Sequence, residues 1–504
     1  MTDALRHPPS NYINGSFLPL PGDAIRSHDP AMPDRIIWEG TPVDGHLNLA
    51  IEAARNAFES WSATSLDDRI AILRRWQEVT TKHAPRMARL ITDEMGKILS
   101  ESMFEAKALA GKVDITLGDV SMNRVAEYEV TVSDSRAGRC RFKPHGVMAV
   151  IGPFNFPAHL PNGQFVPALL MGNTVVLKPS EKTPAVGQLL AELMDEAGIP
   201  PGVFNVVQGA GDIAAQLVNH DDIAGVLFTG SWEVGRKILR ANLDRPGRII
   251  ALELGGNNPA VVMDDAPLKL AVLECLRASF ATTGQRCTCT RRIIVHEALY
   301  DRFLSAYCKA ASTLLIGPGA SEQPVFMGPL VTGEACDAVL GFQSELADSG
   351  GGGPGGRVLV EATMMDGPGH FITPGVMEVD GFTLDRDCEV FGPFVQICTV
   401  QNLDEAIEQA NATRYGLAAS IFTSDERTFE TFFRRINAGC INFNNGTAGA
   451  SGKLPFGGWG RSGNHRPAAA FATDFSVYPV ANMIETADDL PVPTGVQWKN
   501  EWIS

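Results

Sequence analysis

The chain contains no apolar run that could cross a membrane, because a span needs about 20 residues and stretches such as 147–151 and 166–171 are far shorter. Its first ten residues also lack the basic segment and apolar stretch of a secretory signal peptide. Positive charge is scarce, since 42 Lys and Arg stand against 58 Asp and Glu and no basic patch interrupts the net charge of −16. We therefore expect a protein that binds neither membranes nor nucleic acids.

The sequence also lacks a cysteine spacing that would indicate a set of disulfide bonds. The nine cysteines are odd in number and scattered, which is typical of a reducing cytoplasm rather than of a disulfide framework. Cys287 and Cys289 form a Cys-x-Cys pair, but no nearby Cys or His supplies the other two ligands of a zinc site. We expect a cytoplasmic protein without a metal, and its 504 residues allow about three folded units.

Helical periodicity and short branched apolar runs alternate along most of the chain. The first 45 residues are Pro-rich and irregular apart from a turn at Asn14-Gly15, and helices follow over 47–61 and from a capping signal at Ser65. After Gly146, the pattern predicts strands at 147–151, 174–177, 203–207, 226–229 and 249–254, with helices at 159–171, 184–197, 212–219 and 232–240. This alternation indicates a doubly wound parallel sheet, which binds ligands beyond the carboxyl ends of its strands.

A second alternating region extends from about 265 to 445. It has predicted helices at 267–281 and 298–313 and predicted strands at 292–296, 394–400, 418–423 and 440–444. The Gly-rich stretch 349–356 inside it indicates a surface loop or turn. Residues 128–143 alternate like a β-ribbon that projects from the first sheet domain, and 476–482 indicate a lone strand suited to pairing between subunits.

Cys287 is the cysteine with the most polar surroundings. It follows a predicted helix and a Gly284-Gln285 break, and Arg286 directly precedes it. A free cysteine chosen at random is most often a small buried apolar residue. A cationic neighbour, however, lowers the pKa of a thiol and favours the nucleophilic thiolate. Cys287 is therefore a candidate nucleophile.

Two polar residues follow predicted strands of the first sheet and could assist a nucleophile. Glu253 ends a strand before Gly255 and Gly256, and it is either half of a structural ion pair or a general base. Asn155 follows the strand 147–151. It either caps a turn beside proline or directs an amide donor at a developing oxyanion.

Two glycine-containing turns are candidate phosphate-binding sites. Gly209-Ala-Gly-Asp-Ile-Ala214 matches the dinucleotide-binding pattern but places an acid, Asp212, at the start of a helix. Phe228-Thr-Gly-Ser231 also joins a strand to a helix and offers Ser231 and backbone amides to an anion. Either segment could equally be a structural turn, so the residues alone leave the choice open.

Together these segments resemble the aldehyde dehydrogenase superfamily over nearly the whole chain. The Phe-x-x-x-Gly-Gln-x-Cys segment ending at Cys287 is similar to its nucleophile motif, and the Glu-Leu-Gly-Gly segment at Glu253 to its general-base motif. Further similar segments are those at Asn155, Lys178-Pro-Ser-Glu181, Phe228-Thr-Gly-Ser231 and Glu389-Val-Phe-Gly-Pro393. The resemblance implies NAD-dependent oxidation of an aldehyde to a carboxylic acid through a cysteine thiohemiacetal and thioester.

The resemblance also implies an architecture. A doubly wound Rossmann-type cofactor domain would occupy 1–122 and 144–254, and an α/β catalytic domain would occupy 255–467. A small β oligomerisation ribbon at 123–143 and a C-terminal oligomerisation segment at 468–504 would complete a homodimer or homotetramer.

Residue roles follow from the same resemblance. Cys287 would be the nucleophile, Glu253 the general base and Asn155 the oxyanion donor. The cofactor would be held by Lys178, Glu181, Gly230, Ser231, Glu389 and Phe391. The acid at Glu181 favours the free 2′-hydroxyl of NAD over the 2′-phosphate of NADP, because like charges repel.

The segment Pro455-Phe-Gly-Gly-Trp-Gly-Arg-Ser-Gly-Asn-His-Arg-Pro467 carries a closer resemblance. Together with Gly284-Gln-Arg-Cys-Thr-Cys289 and His159-Leu-Pro-Asn-Gly163, it is similar to the succinylglutamate-semialdehyde dehydrogenases of bacterial arginine catabolism. That resemblance implies N-succinyl-L-glutamate 5-semialdehyde as the substrate.

A substrate with carboxylates needs cations in an otherwise acidic protein, and Lys178, Arg286 and Arg466 are where we expect positive charge. Arg286 and Arg466 are candidates for the substrate carboxylates, with His465 beside them. Arg466 is nearly as well suited to bonding the backbone carbonyls of its own loop. The alternative functions are oxidation of another semialdehyde or of broad aliphatic aldehydes, CoA-acylating oxidation, a cofactor-free cysteine hydrolase and a structural protein of this fold.

Overall fold

The computed structural model describes residues 5–348 and 356–504. The Gly-rich stretch 349–356 therefore lies, apart from Gly356, outside the described residues, and its predicted loop stays a prediction. Within the described ranges, no helix has both the length and the apolar character that a membrane span requires.

The strands and helices are numbered along the chain. The strands are β1 (Ser10–Ile13), β2 (Ser16–Pro19), β3 (Ile25–Asp29), β4 (Met32–Gly40), β5 (Tyr128–Ser133), β6 (Arg136–Pro144), β7 (Val147–Ile151), β8 (Thr174–Lys178), β9 (Phe204–Val206), β10 (Ile223–Thr229), β11 (Ile249–Glu253), β12 (Asn258–Val262), β13 (Thr290–His296), β14 (Arg357–Val360), β15 (Gly375–Glu378), β16 (Phe394–Val400), β17 (Tyr415–Gly416), β18 (Ala418–Phe422), β19 (Cys440–Phe443), β20 (Pro455–Phe456), β21 (Trp459–Gly460), β22 (Ala468–Ala469) and β23 (Val477–Glu485). The helices are α1 (His46–Ala63), α2 (Leu66–Lys82), α3 (Ala84–Met95), α4 (Leu99–Leu117), α5 (Asp119–Met122), α6 (His159–Leu170), α7 (Pro184–Glu196), α8 (Gly211–Asn219), α9 (Trp232–Ala241), α10 (Leu268–Phe280), α11 (Glu297–Ala311), α12 (Gly333–Asp348), α13 (Leu403–Asn411) and α14 (Glu426–Arg435).

The predicted doubly wound sheet is confirmed. Strands β11, β10, β7, β8 and β9 are adjacent in that order and parallel. Alternate residues of β7 pack into two different apolar clusters, Met148 and Val150 on one face and Val147, Ala149 and Ile151 on the other. Because both faces are covered, the strand is a continuous apolar run rather than an alternating one.

The first 45 residues are not irregular, contrary to the sequence prediction. β1 and β2 form an antiparallel hairpin, and β1 pairs with β9, which extends the first sheet. The predicted turn at Asn14-Gly15 is present, with both residues at positive φ. β3 and β4 pair as a separate two-stranded sheet. The predicted cap of α2 is also present, because Oγ of Ser65 accepts from the backbone N–H of Asp68 at 3.1 Å.

A second sheet occupies the later part of the chain. Its order is β14-β15-β16-β13-β12-β18-β19, and all its neighbours are parallel except β14 and β15. The predicted strands at 292–296, 394–400, 418–423 and 440–444 correspond to β13, β16, β18 and β19. Sequence analysis missed β12, which lies between β13 and β18 in the interior of this sheet.

The predicted β-ribbon is a hairpin of β5 and β6, but the C-terminal strand beside it is not alone. β23 pairs antiparallel with β6 of the same chain along its whole length. This corrects the expectation of a lone strand at 476–482. β23 is an edge strand of this sheet, so its second edge could still pair with another subunit, which stays a prediction.

The order of the strands places the two sheets against each other at one cleft. β7, β10 and β11 end at this cleft, and β12 and β13 begin there, with Asn258 and Thr290 in register. The segment 254–257 connects the end of β11 to the start of β12. The polar segments identified in the sequence lie on this short connection and on the loops around it.

Candidate active site

Cys287 lies in the loop between α10 and β13, and the backbone that leads to it is strained. Thr282, Thr283 and Gly284 all have positive φ, at 56°, 55° and 70°, which β-branched residues rarely adopt. Glu101 of α4 supports this conformation by accepting hydrogen bonds from the backbone N–H and Oγ1 of Thr282, both at 3.1 Å. Backbone strain held by surrounding contacts is typical of functional sites.

Two buried side chains that sequence analysis missed hold the Cys287 loop. Nδ2 of Asn258 donates to the carbonyl oxygens of Cys287 and Cys289, both at 2.8 Å. The guanidinium of Arg291 donates to the carbonyl of Gly284 at 2.6 Å. A sequence signal existed for Asn258, because it closely follows the Glu-Leu-Gly-Gly segment, whereas nothing local marks Arg291.

The electrostatics of the thiol contradict the expected role of Arg286. Burial raises the pKa of Cys287, and the nearby carboxylates of Glu389 and Glu253 raise it further. The Arg286 guanidinium is paired with Glu101 at 2.7 Å and is not among the groups that shift the pKa of Cys287. The prediction that Arg286 activates the thiol is therefore wrong, and thiolate formation at Cys287 requires a proton acceptor.

Glu253 is a buried carboxylic acid without an ion-pair partner. It is 6% exposed, and the backbone of Ala468 is the one described group that comes within reach of its oxygens, without forming a well-directed hydrogen bond. Burial raises its pKa well above the usual value of 4.5, and the backbone of Ala468 offsets the effect only in part. Glu253 lines a cavity of about 190 Å³ together with Trp459, His465 and Arg466. The structural ion pair that the sequence left open is therefore absent at Glu253.

Replacing Glu253 with glutamine should stabilise the protein in a pH-dependent way. The raised pKa means that the folded chain binds more protons here than the unfolded chain does, so wild-type stability falls as pH rises from about 4.5 to the folded pKa. Glutamine does not ionise, so the advantage of Glu253→Gln should grow over this window by about 1.4 kcal/mol per unit of raised pKa and then stay constant. Melting temperatures of both proteins at pH 5 and pH 8 test this, and an advantage that shrinks with pH would contradict it.

Gly255 and Gly256 lie in close contact with two candidate site residues, Glu389 and Cys287. A Cβ at Gly255 would lie 1.7 Å from Oε2 of Glu389, and one at Gly256 would lie 2.8 Å from the carbonyl oxygen of Cys287. The backbone N–H of Gly256 also donates to Oε1 of Glu389 at 3.0 Å. Burial raises the pKa of Glu389 to about 7. The glycines after Glu253 are therefore required by close packing, whatever else they do.

Asn155 connects the first sheet to the Cys287 loop. Its side chain is buried, and Nδ2 donates to the carbonyl of Gln285 at 3.0 Å. This contact crosses the cleft between the sheets, so the side chain does not cap its own turn, which was the alternative for Asn beside proline. The amide lies next to the loop that carries the thiol.

The residues expected to hold a dinucleotide lie around the same cleft. Nζ of Lys178, the last residue of β8, is 3.1 Å from Oε2 of Glu181. Gly230 donates its backbone N–H to the carbonyl of Glu253 at 3.0 Å, and Ser231 caps α9 by accepting from Val234 at 3.4 Å. The first amides of α9, a helix of 10 residues, thus face the cleft beside the Glu253 strand. This donor set fits a dinucleotide.

Phe391 and the competing glycine segment are the remaining candidates for the cofactor site. Phe391 packs edge-on against Phe154 at 5.8 Å, which places it close to the segment that carries Asn155. In the competing glycine segment, α8 begins at Gly211 and Asp212 lies in its first turn, as the sequence analysis noted. No group of three or more His, Cys, Asp or Glu that could hold a metal ion occurs in the part of the chain that the structure describes.

The three expected cations differ in their partners. Lys178 is paired with Glu181 and Arg286 with Glu101. Arg466 is exposed, and its guanidinium has no hydrogen bond or ion pair with any described residue, so it does not hold the carbonyls of its loop. His465 is at positive φ and packs edge-on against Trp459 at 4.5 Å. Of these three cations, Arg466 is thus the one without a partner among the described residues, and it lines the same cavity as Glu253.

This chain is similar to known proteins over most of its length. The model of the aldehyde dehydrogenase family matches residues 22–478. An N-succinylglutamate 5-semialdehyde dehydrogenase from Caulobacter sp. (strain K31) is 42% identical over 475 residues, which are 94% of this chain and 95% of that protein.

Two solved structures are similar over most of their length. An E. coli NADP-dependent enzyme has a TM-score of 0.89 at 30% identity, covering 95% of this chain and 98% of its own. An indole-3-acetaldehyde dehydrogenase in complex with NAD+ has a TM-score of 0.88 at 29% identity, covering 95% and 97%.

Proposed function

The chain belongs to the aldehyde dehydrogenase family, and from that premise we propose that it oxidises N-succinyl-L-glutamate 5-semialdehyde to the carboxylic acid with NAD. The protein is an aldehyde dehydrogenase that uses NAD or NADP. The observation that carries the proposed chemistry is the thiol of Cys287 on a strained loop, close enough to the buried carboxylate of Glu253 for the carboxylate to raise its pKa.

The reaction begins at Cys287. Its proton passes to solvent water, and the thiolate attacks the aldehyde carbon. The amide of Asn155 and the backbone N–H of Cys287 stabilise the oxyanion of the resulting thiohemiacetal, and one such donor contributes about 2.7–4 kcal/mol.

The cofactor would be held by Lys178 and Glu181 at the end of β8, by Gly230 and Ser231 before α9, and by Glu389 with Phe391. A dinucleotide held there would supply the hydride acceptor, and loss of hydride from the thiohemiacetal carbon would leave a thioester on Cys287. Glu253 then takes a proton from water as the water attacks the thioester carbon, and the Cys287 thiolate leaves. The presence of Glu253 favours water over CoA as the acceptor.

Glu181 supports NAD rather than NADP as the cofactor. Its carboxylate is next to Lys178, which lowers its pKa and keeps it ionised, so it repels a 2′-phosphate. In Glu181→Gln we expect kcat/KM with NADP relative to NAD to rise about tenfold, since a partly screened charge contact contributes roughly 1.4 kcal/mol. Initial rates with both cofactors measure the ratio, and an unchanged ratio would place the discrimination elsewhere.

Arg466 is the candidate for a substrate carboxylate, because its guanidinium is exposed beside Glu253 and has no partner among the described residues. In Arg466→Ala we expect kcat/KM to fall 10–100-fold for succinylglutamate semialdehyde and less than threefold for a neutral aliphatic aldehyde, as for loss of one charge-assisted hydrogen bond. Arg461→Ala is a matched control, since Arg461 lies over the ring of Trp232 instead. Equal losses for both aldehydes in Arg466→Ala would contradict the proposed role. Arg286 fits this role less well because it is paired with Glu101.

The whole proposal is tested by a panel of semialdehydes and aliphatic aldehydes, scored by kcat/KM from NADH formation at 340 nm with NAD and then NADP. Preference for another aldehyde would replace the substrate, and dependence on CoA would replace water as the acceptor. A cysteine hydrolase would act without the cofactor.

We also propose that the protein is a homodimer or homotetramer and that it is located in the cytoplasm. All nine cysteines lie within the described residues and none forms a disulfide there, which suits a reducing compartment.

A further inference from the structure

We propose that Gln164 of α6 holds, together with Glu253, the water molecule that releases the acid from Cys287. This inference rests on the proposed function and adds to it a residue that positions the nucleophile of the second half-reaction. The argument begins with the placement of α6 over the ends of the strands.

The start of α6 is packed closely against the end of β7. A Cβ at Gly152, the residue after β7, would lie 2.7 Å from Cγ of Pro161. Gln164 is three residues further along the helix and therefore lies on the same face as Pro161. Its side chain is 3% exposed, and its Nε2 donates to Oγ1 of Thr229 at 3.1 Å. Gln164 is thus fixed at the end of the first sheet.

Thr229 connects Gln164 to the candidate base. Thr229 is the last residue of β10 and is in parallel register with Glu253, the last residue of β11. Paired residues on neighbouring parallel strands are about 4.8 Å apart and project from the same face of the sheet. The Gln164 amide and the Glu253 carboxyl group therefore project into the same space above the ends of these strands.

The buried oxygens in this space have more acceptor capacity than the described residues satisfy. Oε1 of Gln164 has no donor, and the two carboxyl oxygens of Glu253 have at most the backbone N–H of Ala468 between them. An amide oxygen and an ionised carboxylate offer only acceptors, so they cannot satisfy each other in the form in which Glu253 acts as a base. A water molecule carries two hydrogens and is the smallest group that donates to both residues at once.

Water held in this way is oriented for attack. One hydrogen donates to Glu253 and the other to Oε1 of Gln164, which leaves a lone pair of the oxygen free. As the water oxygen forms a bond to the thioester carbon, the proton on the first hydrogen bond passes to Glu253. The carbon–sulfur bond breaks with its electron pair, which returns to Cys287 as thiolate. The second hydrogen stays on the product acid.

The direct test is Gln164→Met, which keeps the length of the side chain and removes its amide. Deacylation should slow 10–100-fold, while the rate of the first NADH turnover changes less than twofold. Rapid-mixing absorbance at 340 nm separates the two phases, and intact-protein mass spectrometry should show the acyl group accumulating on Cys287. Hydroxylamine attacks thioesters without a general base, so it should restore turnover of Gln164→Met much more than that of wild type.

Asn162→Leu is the matched control on the same helix. Asn162 is also buried, but it bonds Trp76 and the carbonyl of Leu109 on the other side of α6. It should lower the melting temperature without acyl-enzyme accumulation. Thr229→Val, which releases the Gln164 amide, should slow deacylation three- to tenfold and provides a second variant if Gln164→Met does not fold.

Two results would overturn the inference. One is a proportional loss of both phases in Gln164→Met and Thr229→Val, and the other is unchanged deacylation in both. In either case, a wild-type protein that forms NADH and an acyl group on Cys287 leaves the proposed function intact. If the wild type formed neither NADH nor an acyl group on Cys287 with any aldehyde, the proposed function itself would be contradicted.

Discussion

Cys287→Ala is expected to lower kcat/KM for aldehyde oxidation by about 10⁴-fold or more, because removal of a covalent nucleophile eliminates the route through the thioester. The loop itself should keep its conformation, since Asn258 and Arg291 bond its backbone rather than the thiol. NADH formation at 340 nm measures the loss. Mass spectrometry after mixing with aldehyde and NAD should detect no acyl group on the variant.

Cys289→Ala is the matched control for this prediction. Cys289 is two residues away and fully buried, and its thiol has only a weak contact with the carbonyl of Ala281 at 3.9 Å. We expect less than a tenfold change in kcat/KM together with a lower melting temperature, as for a small cavity. If Cys289→Ala abolished activity and Cys287→Ala did not, the nucleophile would have to be reassigned.

Glu253→Gln is expected to form NADH in a single fast turnover and then almost stop, with the steady-state rate reduced about 10²–10⁴-fold. Glutamine keeps the size of the side chain but cannot take a proton from water, so the thioester should persist on Cys287. Rapid mixing measures the amplitude of the first turnover against the enzyme concentration. Steady turnover near the wild-type rate would contradict the role of Glu253 as the base for deacylation.

The pH dependence of the wild type gives an independent check on Glu253. Burial raises its pKa well above 4.5, and a general base works only when it is ionised. The deacylation rate should therefore rise with pH and level off above the raised pKa, with its midpoint well above 4.5. In Glu253→Gln this step of the profile should be absent, whereas a midpoint near 4.5 in the wild type would contradict a buried base.

The parts of the fold predicted best from sequence were those with an unambiguous period. The five parallel strands predicted for the first sheet all appear within about three residues of their predicted bounds, because β-branched apolar runs buried on both faces have few other structures to adopt. The segment 25–40 was misjudged, since β3 and β4 carry charged residues, β4 also contains a proline, and the two strands are stabilised by their mutual pairing. β12 was missed because its Asn258-Pro259 start resembles a turn.

The candidate site divides in a similar way. Cys287, Glu253 and Asn155 could be named because each follows a recognisable segment. Arg291 could not be, because its part in holding the Cys287 loop depends on which carbonyls the folded loop presents to it. The local neighbour Arg286 misled the electrostatic argument, since its partner Glu101 is distant in sequence and adjacent only in the fold.

By itself the sequence determined the α/β class, the family resemblance and the residues that we propose carry the chemistry, since periodicity and short motifs are local properties. Only the tertiary structure decided that the carboxyl ends of β7, β10 and β11 meet the amino ends of β12 and β13. That arrangement left Glu253 without a counter-ion, paired Arg286 with Glu101 and paired β23 with β6 of its own chain. The reason is physical: burial, charge pairing and strand pairing depend on contacts between residues far apart in sequence, such as Asn155 and Gln285, which are separated by 130 positions.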